Sequence, residues 1–295
     1  MSDWIWALIF GFVLDLLLGD PSWLYHPVCI IGKYIGWMEK KLRRRGGNLR
    51  KSAVFLTAST VLLTMAVVAL ILMLCGLLGR IPLLIAMALL DWMGIAITSM
   101  AKEARGVEKA LGQGVAAGRT QVARIVGRDT QELSEEEIIK ATVETVSENT
   151  TDGVISPLLY AAISGPILLW GFKAASTLDS MVGYLDEKYR DIGWSSAKLD
   201  DVLNYIPARL TALLMVIASY LIGLDQPQTP QLRVERIRGG GGAAHPTRRD
   251  TQLLRQTRRK TNHRRRGSPC RTRGYPPCKP FVVYKQFADD GFDCT

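Results

Sequence analysis

Residues 54–78 read VFLTASTVLLTMAVVALILMLCGLL, 25 residues without a charge. About 20 consecutive apolar residues suffice to cross the hydrocarbon core of a bilayer, so this run decides the fold class. Working outward, Arg80 and Pro82 make a tight break, and residues 83–100 form a second apolar run interrupted by Asp91. The two read as a transmembrane hairpin. Residues 154–172 form a third run holding Pro157, Gly165 and Pro166, and residues 206–224 a fourth, with Pro207 and Arg209 near its start. Residues 4–18 are a shorter candidate carrying Asp15. Its start, Met-Ser-Asp-Trp, lacks the basic leader of a secretory signal, and no small-x-small cleavage site precedes Asp20-Pro21, so it reads as a retained membrane segment. The expected fold class is an all-α, polytopic integral membrane protein with helical cytoplasmic loops and a disordered basic tail.

Charge sets the orientation of these runs. The formal net charge of +10 is a misleading average. Residues 226–295 hold 16 Lys and Arg against 5 Asp and Glu, whereas residues 1–225 hold 21 against 22. The chain therefore divides into a membrane-embedded domain, 1–225, and a basic tail, 226–295, rich in Arg, Gly and Pro and without an apolar period. Such a composition buries too little apolar surface to offset chain entropy. Its arginines lack aromatic interleaving, zinc spacing or a recognition-helix pattern, so a nucleic-acid partner is not expected. The loop 19–52 carries eight Lys and Arg, which places it in the cytoplasm by the positive-inside rule. Two spans later, loop 101–153 is cytoplasmic as well. Simple counting puts 173–201 on the opposite side, but the prolines and glycine of the third run mark it as a candidate broken or re-entrant segment, tolerated only where protein or water covers its backbone. The five cysteines form no CxxC pair, and neither GxxxxGK[ST] nor GxGxxG occurs. A disulfide framework, a P-loop NTPase and a Rossmann enzyme are thereby disfavoured.

Within loop 101–153, Ser134 and Glu137 fit a capping box. A helix from Glu135 to about Asn149 follows, with Ile138, Ile139, Thr142 and Val146 on one face. Residues 101–111 read as a helical extension of the second span, ended by Gly112, Gly114 and Gly118.

Three stretches carry candidate chemistry. Residues 14–32 place Asp15, Asp20 and His26 where an apolar run meets a basic loop; ionisable groups inside a membrane segment are functional candidates by default. Residues 141–153, ATVETVSENTTDG, space Glu144, Glu148 and Asp152 at i, i+4 and i+8, one helical face. Converging carboxylates repel unless a cation joins them, and oxygen ligands suit Mg²⁺ carrying substrate phosphates. Ser147 and Asn149 surround that cluster with hydrogen-bonding groups. The bland alternative is a solvated acidic face. Residues 173–209 place Lys173, Asp179, Asp186 and Arg209 between two apolar runs; Asp179 and Asp186 are one heptad apart, and Arg209 calls for an anionic partner.

Three stretches together are long and specific: LDLLLGDPSWLYHPVCIIG, VGRDTQELSEEEIIKATVETVSENTTDGVISPLLY and FKAASTLDSMVGYLDEKYRDIGWSSAKLDDVLNYIPARL. Through them, residues from about 10 to 225 resemble the CbiB/CobD family of cobalamin biosynthesis, the adenosylcobinamide-phosphate synthases. The resemblance implies a multi-pass protein of the cell (inner) membrane that joins (R)-1-amino-2-propanol, or its O-phosphate, to a propionate of the corrinoid adenosylcobyric acid. ATP would activate the carboxylate, with Mg²⁺ on Glu144, Glu148 and Asp152. Lys173 or Arg209 would hold a phosphate, and His26, Asp179 or Asp186 would take the proton of the attacking amine. The expected partners are these substrates, membrane lipid and other membrane enzymes of the same pathway. After about Asp225 the chain departs from the family pattern, and the abrupt switch in composition reads as translation in a wrong frame, which would leave the chain an inactive, truncated member. Two other classes compete: a transporter using Asp15, Asp91 and Arg209 along a polar pathway, and a structural membrane scaffold.

Overall fold

The structure, a computed structural model, describes residues 3–20, 25–126, 129–184 and 187–221. The tail, with the disorder and frame expected of it, and Asp186 lie outside these residues. The described chain is all α-helical: α1 (Asp3–Leu18), α2 (Pro27–Arg45), α3 (Leu49–Leu77), α4 (Arg80–Gly94), α5 (Ile97–Leu111), α6 (Val115–Val122), α7 (Glu135–Thr150), a π-helical turn (Thr151–Ile155), α8 (Ser156–Ser164), α9 (Pro166–Val182), α10 (Trp194–Leu203) and α11 (Tyr205–Leu221). Two stretches are long and apolar enough to cross a membrane: α3, and Arg80–Leu111, which comprises α4 and α5. The pair α10 and α11, bent by 48°, makes a third if taken as one span. α1, at 16 residues, reaches only about 24 Å. The molecule is thus an all-α, polytopic membrane protein.

α9 is the centre of the bundle. It touches α2, α3, α4, α8 and α10 and contributes Leu169, Trp170, Ala174, Leu178 and Val182 to the main core, beside Ile35 of α2, Leu56 of α3 and Leu90 of α4. Trp170 Nε1 donates to the Leu90 carbonyl at 3.1 Å, and Trp92 Nε1 donates to the Gly19 carbonyl at 3.0 Å. Each indole thereby ties two segments together while satisfying its one donor in an apolar interior.

Where helices cross closely, a small residue stands at the contact. A Cβ on Gly11 would lie 2.8 Å from the Ala88 carbonyl oxygen and 2.9 Å from Trp92 N, so α1 meets the backbone of α4 there. Gly165 is another special position: its φ of 69° ends α8, and Pro166 starts α9 with the fixed φ a first helical turn accepts. The third apolar run is therefore a broken one, as its prolines and glycine indicate, and the chain reverses inside it. Asp152, before the break, and Asp179, after it, both act electrostatically on Asp200 of α10. Segment 173–201 thus joins the same end of the bundle as Asp152, and simple span counting fails.

The capping box is present: Ser134 Oγ accepts from Glu137 N at 3.3 Å while Glu137 Oε2 accepts from Ser134 N at 2.8 Å. α7 packs Ile138 and Ala141 into a satellite core with Val107, Val122 and Ile125, whereas Ile139, expected on that face, is exposed. Gly118 does not end a helix; it lies inside α6, where the missing Cβ admits Leu111. α9 stops at Val182, and the heptad expected from Asp179 to Asp186 ends outside the described residues.

The two kinds of glycine make a paired prediction. Gly11→Ala pushes α1 off α4 and costs about 1–3 kcal/mol, as overpacking does. Gly36→Ala, in mid-α2 with open space at its Cβ, gains about 0.5–1 kcal/mol of helix propensity. Thermal unfolding of the two variants in detergent should move in opposite directions. Equal shifts would refute backbone contact at Gly11.

Candidate functional site

The polar groups of this end of the bundle gather around Lys173, midway along α9. The charges of Asp20, Asp152 and Asp15 all act on it. They arrive from three different parts of the chain: Asp15 from α1, Asp20 from the loop after it, and Asp152 from the π-helical turn.

Asp15 is wholly buried. Its Oδ2 accepts from the backbone N–H groups of Ile97 at 3.0 Å and Thr98 at 3.3 Å, and Thr98 Oγ1 donates back to the Asp15 carbonyl at 2.6 Å. The N-cap residue of α5, Ala96, offers no side-chain acceptor, so Asp15 caps that helix from α1. This satisfies two of the donors a helix start leaves open. Ser99, on the first turn of α5, then hydrogen-bonds Asp20. Burial pushes the Asp20 carboxyl up from its ordinary range, against the opposing pull of Ser99 and of the Lys173 charge.

His26 is buried at the N-cap of α2, where its Nδ1 accepts from Val28 N at 3.2 Å and Pro27 opens the helix. The ring also bonds the backbone of Met93 and lies 6.3 Å from the Trp170 ring. Burial first, and the Lys173 charge second, lower its pKa to about 4. His26 is thus a neutral imidazole that joins α2 to α4, and its acceptor nitrogen is already taken by a backbone N–H.

A second group of carboxylates adjoins the first. The charges of Asp152, Asp179 and Asp201 act on Asp200. Asp200 is held by the bend between α10 and α11. Asn204 Nδ2 donates to Asp200 Oδ2 at 3.0 Å, Ser156 Oγ donates to Asn204 Oδ1 at 2.8 Å, and Tyr160 OH donates to the Leu203 carbonyl at 2.8 Å. α8 therefore latches the bend, and the second oxygen of Asp200 is buried without a hydrogen-bond partner among the described residues. Asp179 packs its carboxylate against Gly183, where a Cβ would collide with it.

Of the residues singled out in the sequence, Lys173, Asp179 and Asp152 come together here, and His26 borders them. Ser147 and Asn149 are buried on α7, with Asn149 Oδ1 lacking a hydrogen-bond partner among the described residues. Glu144 and Glu148 are exposed on α7. Among the described residues no three His, Cys, Asp or Glu side chains are grouped as ligands for one metal ion, so the expected trio of Glu144, Glu148 and Asp152 does not stand as one ligand set. Arg209 is exposed; its guanidinium lies 3.6 Å over the Tyr205 ring and donates to the Tyr205 carbonyl at 2.5 Å. Asp15 and Asp20, named with His26 in the sequence, join Lys173 and Asp152, and Ser99, Ser156, Asp200 and Asn204 belong to the site without having been picked out there. Asp200-Asp201 was the available signal, two acids just ahead of an apolar run.

The His26 environment predicts a pH dependence. A folded-state pKa of about 4 against an ordinary 6.5 means that the unfolded chain binds the proton first. Stability conferred by the neutral ring is complete above about pH 6.5. It falls as pH drops toward 4, by up to about 1.4 kcal/mol per pH unit, and then levels. His26→Asn, which keeps a side-chain acceptor for the helix start, should flatten this slope in thermal melts taken from pH 7 to 4. An unchanged slope would assign the acid sensitivity to another group.

Comparison with known proteins agrees with this arrangement of motifs. The family model described as "CobD/Cbib protein" matches residues 8–268, which carries the match beyond Asp225, where the sequence reading placed the departure. The chain is 47% identical over 243 residues to "Cobalamin biosynthesis protein CobD" of Pelobacter propionicus, covering 81% of this chain and 75% of that one. It is 48% identical over 218 residues to the protein of the same name from Listeria monocytogenes, covering 73% and 69%. It is also 39% identical over 220 residues to "Probable cobalamin biosynthesis protein CobD" of Methanothermobacter thermautotrophicus, covering 74% and 71%. No solved structure matches the chain. With a family model spanning most of its length and relatives this similar over more than two thirds of their own, the chain belongs to the CobD/CbiB family.

Proposed function

We propose that this chain acts in cobalamin biosynthesis as a multi-pass enzyme of the cell membrane, forming an amide between a corrinoid propionate and (R)-1-amino-2-propanol or its O-phosphate. The observation that carries this reading is the charge pattern of the site. Asp15, Asp20 and Asp152 act on Lys173, and Asp152 in turn adjoins Asp179, Asp200 and Asp201 at the same end of the bundle. Such a site offers Lys173 as an anchor for an anion and a surplus of acceptors for a cationic amine.

The chemistry divides along that pattern. A free carboxylate is a poor acyl group because its leaving group is oxide. ATP with Mg²⁺ would supply the remedy, letting the carboxylate oxygen leave as phosphate in place of oxide, and Asp152 would be among the one or two carboxylates that Mg²⁺ needs beside the nucleotide's phosphates. Lys173 offsets the negative charge of the carboxylate or phosphate held there. The amine arrives as an ammonium ion, which the carboxylates attract, and it must lose a proton before it can attack. In this scheme Asp179 or Asp200 takes that proton. His26 does not, because its ring already accepts a backbone hydrogen bond; it positions the start of α2 instead. Arg209, turned onto Tyr205, is a bystander in this scheme.

The test is turnover in detergent or proteoliposomes with adenosylcobyric acid, the amine (phosphorylated or not) and ATP·Mg²⁺, the amide being detected by mass. Lys173→Met and Asp200→Asn should each lower kcat/KM by 100-fold or more, as removal of charge-stabilising or proton-accepting groups does, while Arg209→Gln stays near wild type. Full turnover in Lys173→Met would sink the proposed role of the lysine. A wild-type chain that moves corrinoid across a vesicle without making amide would favour the transporter.

A further inference from the structure

α2 shows two opposed faces. Val28, Ile31, Ile35 and Met38, at i, i+3, i+7 and i+10, are buried in the main core. Ile30, Lys33, Trp37, Lys41 and Arg44, at i, i+3, i+7, i+11 and i+14, form a stripe on the other side, and all are exposed, Ile30 and Trp37 by more than half. Lys40 and Arg45 flank the stripe and are exposed as well. The cations are paired with the aromatics: Lys33 Nζ lies 5.5 Å from the Tyr25 ring centroid and Lys41 Nζ 4.7 Å from that of Trp37. Arg43 does not belong to the stripe. It turns inward, donating to Glu39 Oε1 at 2.7 Å and to the Lys188 carbonyl at 2.6 Å.

We propose that this outward face of α2 is a binding site for anionic phospholipid headgroups, a reading independent of the amide-forming activity. Three features on the helix converge on that ligand. The stripe interleaves apolar and aromatic surface with cations, so it suits a boundary between hydrocarbon and charge rather than plain water. It carries three cations in line, Lys33, Lys41 and Arg44, with Lys40 and Arg45 beside them, and no exposed acid. Its basic end is joined by Gly46, Gly47 and Asn48 to α3, a helix long enough to cross the bilayer, so the stripe cannot lie far from the membrane surface. Basic clusters next to a span bind anionic lipid through their charge, each Lys or Arg contributing about a fivefold gain in affinity. Trp37 and Ile30 then sit at headgroup level, where amphipathic rings are favoured.

The experiment uses the full chain in neutral detergent, given equal amounts of phosphatidylglycerol and phosphatidylcholine, with retained lipid counted by native mass spectrometry. The wild-type chain should retain phosphatidylglycerol in preference, and the preference should shrink as salt is raised. The variant Lys33→Gln/Lys40→Gln/Lys41→Gln/Arg44→Gln, all exposed positions, should lose it by about fivefold per charge removed. A variant of equally exposed cations on α5, Lys102→Gln/Arg105→Gln/Lys109→Gln, should keep it. Glycerol 3-phosphate should not displace the lipid. Equal retention of both lipids by the wild type, an undiminished preference in the α2 variant, or displacement by glycerol 3-phosphate would each overturn the proposal, the last by making this a site for free phosphate.

Discussion

The reversal of the chain at Gly165 and Pro166 is the constraint on which the site depends. Residues 152 and 173 bracket the third apolar run. A continuous helix between them would be about 30 Å long, the thickness of the hydrocarbon core, and would put Asp152 and Lys173 on opposite faces of the membrane. Instead the left-handed backbone of Gly165 ends α8 part-way, and Pro166 starts α9 back the way the chain came. Asp152 and Lys173 then stand within each other's field. The run's apolar length measures a return journey rather than a crossing.

The remaining elements secure this arrangement by satisfying backbone groups from elsewhere in the chain. A buried carboxylate is costly unless donors meet it. Asp15 finds two at the start of α5, a helix start with no acceptor of its own. One contact therefore accounts for a charge inside an apolar helix and for a helix that begins without a local cap. It also places Ser99 against Asp20. The bend at Asn204 works by the same logic: its side chain accepts from Ser156 and donates to Asp200, so α8 positions a carboxylate two elements downstream. Ala96 N donating to the Gly153 carbonyl at 3.0 Å joins the break between α4 and α5 to the π-helical turn. The interruptions at Ala96 and Gly153 thus hold each other, and the one at Asn204 is held from α8 through Ser156.

The helices and their ends were legible because their signals are local. The apolar run 54–78, the Ser134–Glu137 box and the Pro and Gly breaks of the third run each involve residues a few positions apart. The site was legible only in part. Lys173, Asp179 and Asp152 stand out as ionisable groups bordering apolar runs. The spacing of Glu144, Glu148 and Asp152 misleads, because a shared helical face says nothing about what that face meets. α7 leaves both glutamates exposed, whereas Asp152, carried on the π-helical turn, acts on the lysine. Asn204 and Ser156 are 48 residues apart, a pairing no periodicity reveals. His26 reads as a proton acceptor by residue type, yet its position at a buried helix start commits its nitrogen to the backbone.

Charge is distributed unevenly at two levels, and both follow from how the membrane treats it. In the exposed face of α2, cations gather without acids, and solvent screens them. Around Lys173 the sign is reversed: carboxylates outnumber the lysine within a region that excludes most solvent. Like charges held together in such surroundings raise one another's proton affinity, so the cluster draws in either protons or a cationic ligand. A site with that property is least comfortable when empty and most settled when an ammonium group enters, and an amine that enters as ammonium meets, in the same carboxylates, the bases that can deprotonate it. In the proposed amide-forming reaction, attraction and activation of the amine would then be two consequences of one surplus of negative charge, with Lys173 serving the opposite reactant.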